Sequence, residues 1–453
     1  MRLINADADG TYLAGSFTGS ADFYGTLSTA DDLTSAGAED IFFMKLDSSN
    51  GNTLWAKRVG GAGSDLGNDL DVAGCNDPQF PNANCVYATG SFYQTVDFDP
   101  GPGTANLTTA GKGKFRGPDA FVLKLTGDLG KYAGAWRIGG PELDQGHQII
   151  VDGDTLFLGC IFVGTVDFGP GPGVVNRSSA HGRSNLADWF FASYTTSMGL
   201  NWVQHINAGP TWTLASDANN LYMTTSFLAV TNPLDVDPSD EVYNLSANGV
   251  GAGVVAKYAK ADGSLVWAKE LDSLSSDGGV GVGNAAFESM YVFGTYNGTV
   301  DLDPGAGIVS PPPSTTTNAY VLKLNPATGD YVSHWHIGTP DVYTTARPAV
   351  VFGDTLYVTG SFGPGTTSFP TGESLTSAGD VDVYILALDQ TTTASAATGT
   401  TSTFSSSTSP VPATCSLPIA PSAPNGPSPN PRRSLRRRPP LRPCGPRNPP
   451  RAA

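Results

Sequence analysis

A unit of about 65–70 residues recurs six times, and this repeat limits the possible folds more than any other feature of the chain. Its clearest marker is an aromatic residue after a small-residue tripeptide such as TGS, at Phe17, Phe92, Phe162, Phe227, Tyr296 and Phe362. A tryptophan marks the same units at Trp55, Trp136, Trp202, Trp267 and Trp335. Because so short a unit cannot bury its own apolar surface, we expect neighbouring units to stack on one another.

Each unit has the pattern of four short strands. Representative runs are HQIIVDG (147–153), TLFLGCIFVGTVDF (155–168), DAFVLKL (119–125) and GAWRIGG (134–140). They are rich in β-branched and aromatic residues, and they end at Gly, Asp, Asn or Pro. No stretch of comparable length has a helical period. The pattern predicts an all-β fold, a β-propeller of four-stranded antiparallel blades.

We predict six blades, with boundaries near residues 1–65, 66–144, 145–209, 210–279, 280–343 and 344–390. Seven blades stay possible if the N-terminus is truncated, because the first residues already lie within a strand pattern. The sixth unit stops after YILALDQ (384–390) without its tryptophan strand.

Four segments carry a family resemblance: VYATGSF (86–92), TVDFDPGPG (95–103), DAFVLKL (119–125) and WAKRVGG (55–61). Together they resemble the bacterial-type β-propeller repeat named for seven-bladed propellers (SBBP), over residues 1 to about 390. The resemblance implies extracellular binding or scaffolding, and it implies no shared catalytic residue.

Residues 391–453 differ sharply in composition from the rest. They contain no Asp or Glu but eight Arg, among many Ser, Thr and Pro. We predict a disordered tail. Its Ser/Thr part would suit an O-glycosylated stalk and its Arg part anion binding. A wrong reading frame or an unspliced intron would equally explain the change.

The repeats themselves are strongly acidic. Without the eight tail arginines, 17 basic residues face 41 acidic ones, a net charge of −24. This charge argues against nucleic acid or anionic membranes as partners. No apolar run reaches the roughly 18–20 residues of a membrane span, so no transmembrane segment is predicted.

Two cysteines flank an insertion of turn-forming residues. Cys75 and Cys85 enclose NDPQFPNAN (76–84). A disulfide would close this loop in an oxidising compartment, while free thiols are the alternative. No CxxC pair is present, so nothing supports a structural zinc site.

An Asp-Pro-Gly stretch follows the second strand of several units, as in TVDFDPGPGTANLT (95–108). Its carboxylates share one face of a strand, because Asp97 and Asp99 are two residues apart. They suit turns in which Asp accepts backbone N–H bonds, or a calcium site. The predicted calcium ligands are Asp97, Asp99, Asp235, Asp237, Asp301 and Asp303. No other cofactor is expected.

Two further sets of polar residues are candidates for catalytic or metal-binding roles. An acidic or amide residue precedes the third strand at Asp40, Asp119, Asp188, Asn318 and Asp382. This recurrence favours a structural role, since a catalytic group is needed only once. His334 and His336 share a strand face as a metal pair would, but no third ligand can be named. The chain has no GxSxG elbow, phosphate loop or dinucleotide fingerprint.

Four N-glycosylation sequons are predicted sites if the protein is secreted, at Asn106, Asn176, Asn244 and Asn297. The first three fall at one equivalent loop position.

The predicted function is a secreted or cell-surface binding or adhesion module without catalysis, and a monomer. Its long loops on one face would bind a protein, matrix or polysaccharide ligand. One alternative is a propeller hydrolase or lyase with a central-channel site. Charged residues in a single blade, where other blades have apolar ones, would favour that enzyme, and only the histidine pair suggests such an asymmetry. A structural spacer in a longer surface protein is the other alternative.

Overall fold

The computed structural model describes residues 3–7, 10–25, 32–80, 83–111, 117–170, 173–179, 187–206, 212–228, 233–246, 251–272, 289–352, 355–377, 379–389 and 401–405. Every regular element in these ranges is a β-strand. Six antiparallel sheets follow one another along the chain, one for each predicted blade. The predicted six-bladed β-propeller is confirmed. It lies within one compact unit, residues 1–407.

The strands of each blade follow in chain order, and every blade except blade 5 is described with a small additional hairpin. Blade 1 comprises β1 (Leu3–Asp7), β2 (Gly10–Phe17), the hairpin β3 (Ser20–Ala21) and β4 (Leu33–Thr34), β5 (Asp40–Leu46) and β6 (Thr53–Val59). Blade 2 comprises β7 (Leu66–Gly74), β8 (Asn84–Phe92), the hairpin β9 (Thr95–Asp97) and β10 (Asn106–Thr108), β11 (Asp119–Thr126) and β12 (Tyr132–Ile138). Blade 3 comprises β13 (Asp144–Asp152), β14 (Thr155–Phe162), the hairpin β15 (Thr165–Asp167) and β16 (Asn176–Ser178), β17 (Asp188–Thr195) and β18 (Leu200–Ile206).

The second half of the chain repeats this order. Blade 4 comprises β19 (Trp212–Ser216), β20 (Asn220–Leu228), the hairpin β21 (Leu234–Asp235) and β22 (Asn244–Leu245), β23 (Gly251–Ala259) and β24 (Leu265–Asp272). Blade 5 is described by β25 (Met290–Gly298), β26 (Ser314–Leu324) and β27 (Tyr331–Ile337). Blade 6 comprises β28 (Thr344–Phe352), β29 (Thr355–Phe362), the hairpin β30 (Thr366–Ser368) and β31 (Ser374–Thr376), β32 (Asp382–Asp389) and β33 (Thr401–Ser405).

The last blade extends beyond the boundary predicted at residue 390. β33 pairs antiparallel with β32, so it supplies the fourth strand that the sequence pattern did not reveal. Residues 406–453 of the predicted tail lie outside the described residues.

The blades are held together by apolar side chains on both faces of their inner strands. β8 and β11 are buried along nearly their whole lengths. Five hydrophobic clusters join blades 1 and 2, 2 and 3, 3 and 4, 4 and 5, and 5 and 6. A blade packed on both sides explains why its strands read as continuous apolar runs, without strict alternation.

The recurring tryptophans join each blade to the next. The indole N–H of Trp55 donates to the carbonyl of Gly127 at 3.1 Å, in the turn after the third strand of blade 2. Trp202 and Trp267 repeat this contact two and three blades further on, with the carbonyls of Lys260 and Pro326. The series is therefore structural, as its recurrence in five of the six units would suggest.

The first strand of each blade is the innermost one. β7 of blade 2 contacts β1 and β13, the first strands of the two neighbouring blades. Side chains also connect these strands, since the amide of Asn68 donates to the carbonyl of Gly146 at 2.7 Å. β1, β7, β13, β19 and β28 thus line the centre of the propeller among the described residues.

The predicted disulfide is confirmed. Cys75 and Cys85 are bonded, with 4.8 Å between their Cα atoms, and they close the insertion between β7 and β8. The ammonium group of Lys124 donates to the carbonyl of Cys75 at 2.6 Å, which ties this loop to the third strand. Cys160 is a buried free thiol.

No helix in the described ranges is long and apolar enough to cross a membrane.

Candidate functional site

The Asp-Pro-Gly stretches form the small hairpins beside the blades. In blade 2 the Oδ1 atom of Asp97 accepts the backbone N–H groups of Asp99 (3.1 Å) and Ala105 (2.7 Å). Asp99 in turn accepts the N–H of Gly101 at 2.7 Å. Phe98, between the two carboxylates, is fully buried against Phe92 and Phe121. The stretch therefore anchors a closed turn into the core.

The same turn recurs in other blades. Asp167, Asp235 and Asp301 each accept the N–H groups of the residues two and eight positions further along the chain. Carboxylates used in this way close turns, as Asp does in proteins generally. The described residues contain no group of three or more His, Cys, Asp or Glu side chains that could hold a metal ion.

The four predicted glycosylation sites are exposed. Asn106, Asn176 and Asn244 begin the second strand of their hairpins, and Asn297 lies near the end of β25. Their glycosylation stays a prediction.

The acidic residues before the third strand form ion pairs with the fourth strand. Buried Asp119 contacts the guanidinium group of Arg137 at 2.7 Å, and Asp40 contacts Arg58 at 2.5 Å. In blade 3 Asp188 lies 3.0 Å from the Nε2 atom of His205. A contact that recurs around the propeller favours the structural interpretation.

The histidine pair lies away from the centre, on the fourth strand of blade 5. His334 Nδ1 is 2.9 Å from the hydroxyl of Tyr331, and His336 packs on the ring of Tyr296. Burial lowers the pKa of both histidines. The structure brings no third ligand to them among the described residues.

The centre of the propeller holds two carboxylates that the sequence analysis did not single out. Asp69 and Asp71 lie two residues apart on β7, so their side chains share one face of the strand. That face points to β13 of blade 3, because Asp69 Oδ2 accepts the N–H of Ile149 (2.9 Å) and Asp71 Oδ2 accepts the N–H of Val151 (2.7 Å).

Further hydrogen bonds fix the orientation of both carboxylates. Asp69 Oδ1 accepts the N–H of Leu70 at 2.7 Å. Asp71 Oδ1 accepts the N–H of Val72 at 2.8 Å and the side-chain amide of Asn5 at 2.6 Å. Asp71 therefore connects three innermost strands, β1, β7 and β13. The two carboxylates satisfy N–H groups at the edge of β13 that would otherwise lack partners.

Blade 2 alone has this pair among the described first strands. Asp71 lies opposite an aromatic residue of the second strand, Tyr87. The first-strand residues opposite the equivalent aromatic residue in blades 1, 3, 4 and 6 are Asn5, Ile150, Ala215 and Val350. Asp69 corresponds to Leu3, Gln148 and Thr213 in blades 1, 3 and 4, and to the basic Arg347 in blade 6. Among the described first strands, blade 2 is therefore the one with two carboxylates at these positions, and such a difference between blades is the asymmetry expected of an enzyme site.

The surroundings raise the pKa values of the two carboxyl groups unequally. Burial raises the pKa of Asp69 well above its usual range, and the neighbouring Asp71 raises it further. Burial also raises the pKa of Asp71, while hydrogen bonds from Val151, Val72 and Asn5 oppose the rise. A pair of carboxyl groups with separated pKa values is typical of acid–base sites.

This raised pKa predicts a pH dependence of stability. The folded protein holds the Asp69 proton above about pH 4, where the unfolded chain releases it, so stability falls as the pH rises toward the folded pKa. Asp69→Asn should make this decline shallower. Unfolding midpoints of both proteins from about pH 4 to about pH 8 would measure it, with the exposed Asp240→Asn as control. Parallel curves for wild type and Asp69→Asn would contradict the assignment.

Sequence reasoning missed these two residues because it compared only the second, third and fourth strands across units. The signal was the alternation Asp-Leu-Asp-Val (69–72) directly before the disulfide loop. Aligning the first strands would have shown that only this unit has two carboxylates there.

No protein-family model matches the chain, and no curated protein matches it significantly. Three solved structures with a similar fold are a variant of the Synechocystis apocarotenoid oxygenase, a cobalt-substituted form of it, and its chimera with RPE65. Each is 9% identical to this chain. The variant and the cobalt form each cover 82% of this chain and 68% of their own, with a TM-score of 0.38. The chimera covers 85% and 71%, with a TM-score of 0.37.

These comparisons correct two predictions. The solved structures are of enzymes, which goes against the predicted non-catalytic binding or adhesion module, and the alternative of a propeller enzyme agrees better with them. The cobalt-substituted structure likewise goes against the expectation of no required cofactor, or of calcium alone. Oxygenase chemistry is not carried over to this chain at such low similarity.

A metal of that kind does not fit the described residues. His147, the histidine on an innermost strand, packs its ring 5.9 Å from that of Trp189. His205, His334 and His336 all lie on fourth strands, away from the centre. Since no three candidate ligands converge in the ranges that the structure covers, we derive no chemistry through a metal.

Proposed function

We propose that the protein is a hydrolase of glycosidic bonds, with its site at the centre of the propeller around Asp69 and Asp71. The observation that carries the proposal is the pair of carboxylates on β7, present in blade 2 alone among the first strands that the structure describes and held with separated pKa values. Enzyme sites are where such perturbed pairs concentrate.

The two carboxyl groups differ in a way that assigns their roles. Asp69 is buried and holds its proton, so it is the general acid that protonates the glycosidic oxygen. Asp71 is partly exposed and accepts three hydrogen bonds, which favour its charged form. It is the general base that takes a proton from water as the water oxygen bonds to the anomeric carbon and the carbon–oxygen bond to the leaving group breaks.

The spacing suits hydrolysis with inversion. Asp69 and Asp71 bind the N–H groups of Ile149 and Val151, which are two residues apart on β13, so the two carboxyl groups lie about 7 Å apart. Inverting glycoside hydrolases keep their carboxyl groups roughly 6.5–9.5 Å apart, which leaves room for the attacking water.

Charge favours a neutral glycan and hydrolysis over elimination. The chain outside its tail has a net charge of −24, which repels uronate-containing polymers, the substrates of polysaccharide lyases. The disulfide supports an oxidising compartment. We therefore include an extracellular or cell-surface location in the proposal.

A panel of 4-nitrophenyl glycosides tests the activity directly. The α- and β-linked hexosides and pentosides would be incubated with the full-length protein, and released nitrophenolate measured by absorbance. We expect turnover of at least one neutral glycoside. The absence of release from every member, together with unchanged melting temperatures in their presence, would contradict the proposal.

A further inference from the structure

The Asp71 carboxylate receives a side-chain hydrogen bond from the neighbouring blade. The amide Nδ2 of Asn5, on β1 of blade 1, donates to Asp71 Oδ1 at 2.6 Å. The other donors that the described residues supply to this carboxylate are the backbone N–H groups of Val72 and Val151. Since a side-chain substitution cannot remove a backbone donor, Asn5 is the position at which the hydrogen bonding of Asp71 can be changed.

The orientation of the Asn5 amide is fixed by its own strand. Its Oδ1 atom accepts the N–H of Ala6 at 2.7 Å. Because an amide accepts only through its oxygen and donates only through its nitrogen, the NH2 end faces Asp71. β1 is held to blade 2 beyond this point as well, since the Asp7 carboxylate accepts the side-chain amide of Asn84 at 2.8 Å. Asn5 is therefore a fixed donor.

Asn5 occupies in blade 1 the place that Asp71 occupies in blade 2. Each lies opposite a tyrosine of its second strand, Tyr12 or Tyr87. The blades follow one another around the centre, so residues in the same place on neighbouring first strands lie side by side. In blades 3, 4 and 6 this place holds the apolar residues Ile150, Ala215 and Val350. Among the described first strands, the amide is thus found only in the blade preceding the carboxylate.

The three hydrogen bonds use the two oxygens of Asp71 unequally. Oδ1 accepts the N–H groups of both Asn5 and Val72, and a carboxylate oxygen has two lone pairs. Oδ2 accepts the N–H of Val151 alone among the described donors, so one of its lone pairs remains available. Asn5 thereby makes Oδ2 the oxygen that can take a proton from water.

We propose that Asn5 is a positioning residue for the general base, holding the Asp71 carboxylate charged and oriented with Oδ2 as the proton acceptor. The inference rests on the proposed function, because it gives Asn5 a part in the same reaction. Asn5 acts through Asp71: an N–H group that donates to a carboxylate favours its charged form. A carboxyl group that has lost this donor holds its proton to higher pH and cannot then act as a base.

The other titratable groups on the strands around Asp71 are the same in the wild type and in Asn5→Leu. They are Asp69 on β7, Asp7 on β1, Tyr87 on β8, and Asp144, His147 and Asp152 on β13. The charge of Asp71 acts on Asp69, and Asp152 is paired with the ammonium group of Lys260 at 2.6 Å. A difference in the titration of Asp71 between these two proteins therefore reports the lost donor.

Carbon-13 NMR of the full-length protein, labelled at the aspartate carboxyl carbons, tests the proposal without relying on activity. The Asp71 signal is assigned by its absence from Asp71→Asn. Asn5→Leu removes the donor and should raise the titration midpoint of Asp71 by about one pH unit. Asn5→Asp keeps the shape of the side chain but places a second carboxylate there, and it should raise the midpoint by about two pH units.

Asn68→Leu is the matched control. Asn68 also joins two innermost strands, but it donates to the carbonyl of Gly146, so its loss should leave the Asp71 midpoint unchanged. In the pH–rate profile on the 4-nitrophenyl glycoside that the wild type cleaves, the acidic limb of Asn5→Leu should move up with the NMR midpoint. A merely structural role would instead lower kcat equally at every pH.

Circular dichroism shows whether each variant is folded. Equal Asp71 midpoints in the wild type, Asn5→Leu and Asn5→Asp, all folded, would overturn the inference. Raised midpoints in the variants of a protein that hydrolyses no glycoside would bear out the effect of Asn5 on Asp71 and would count against the proposed hydrolase instead.

Discussion

Asp71→Asn is expected to lower kcat for hydrolysis of a 4-nitrophenyl glycoside by about 10²–10⁴-fold, the usual contribution of a general base. The substitution keeps the shape of the side chain and one oxygen to accept the N–H group of Val151 on β13, so the fold should be retained. KM should change little, because the base acts on water in the transition state.

Two further variants test the assignment: one removes the proposed acid, and the other is a control. Asp69→Asn removes the acid and should cause a comparable loss, together with loss of the alkaline limb of the pH–rate profile. Asp240→Asn makes the same chemical change at an exposed position in the blade 4 hairpin and should retain wild-type kcat. Equal activity of Asp71→Asn and wild type, with both proteins folded, would rule out the assigned role.

Arg137→Ala is expected to lower the free energy of unfolding by about 3 kcal/mol at neutral pH, near the lower end for breaking a buried ion pair. Its guanidinium group is the charged partner of the Asp119 carboxylate, which is fully buried at the start of β11. The lower value is appropriate because Arg137 itself is about one-third exposed.

The loss of unfolding free energy caused by Arg137→Ala should be smaller at acidic pH. Burial raises the pKa of Asp119, and the Arg137 side chain opposes that rise. Without Arg137 the carboxyl group holds its proton to higher pH, and a neutral carboxylic acid needs no cation. Denaturant unfolding near pH 7 and near pH 5 would measure the difference. Arg177→Ala, on the exposed hairpin of blade 3, should change stability by less than about 0.5 kcal/mol. An equally small effect of Arg137→Ala would show that the pair contributes little.

The fold was predictable because its signals are local and repeated. Strands buried on both faces read as apolar runs, and their periodic tryptophans and aromatic markers gave the number of blades. Cys75 and Cys85 could be paired because the insertion between them brings their strands together. The sequence also allowed the prediction that Asp97 closes a turn, because an Asp side chain commonly accepts the backbone N–H two residues further on.

The candidate site could not be read in the same way because its contacts cross between blades. Asp69 and Asp71 bind backbone groups about 80 residues away, on a strand that neighbours β7 only after the blades have stacked. The predicted non-catalytic function failed for the same reason: it relied on loops and overlooked the first strands.

Amide hydrogen exchange of the Asp71→Asn variant, with and without the 4-nitrophenyl glycoside that the wild type cleaves, tests the central claim most directly. A substrate bound at the centre of the propeller should slow exchange in residues 66–74 and 144–152, which contain β7 and β13. Protection confined to the hairpin loops, such as residues 99–105, with none in these two strands, would place the ligand elsewhere and contradict the account.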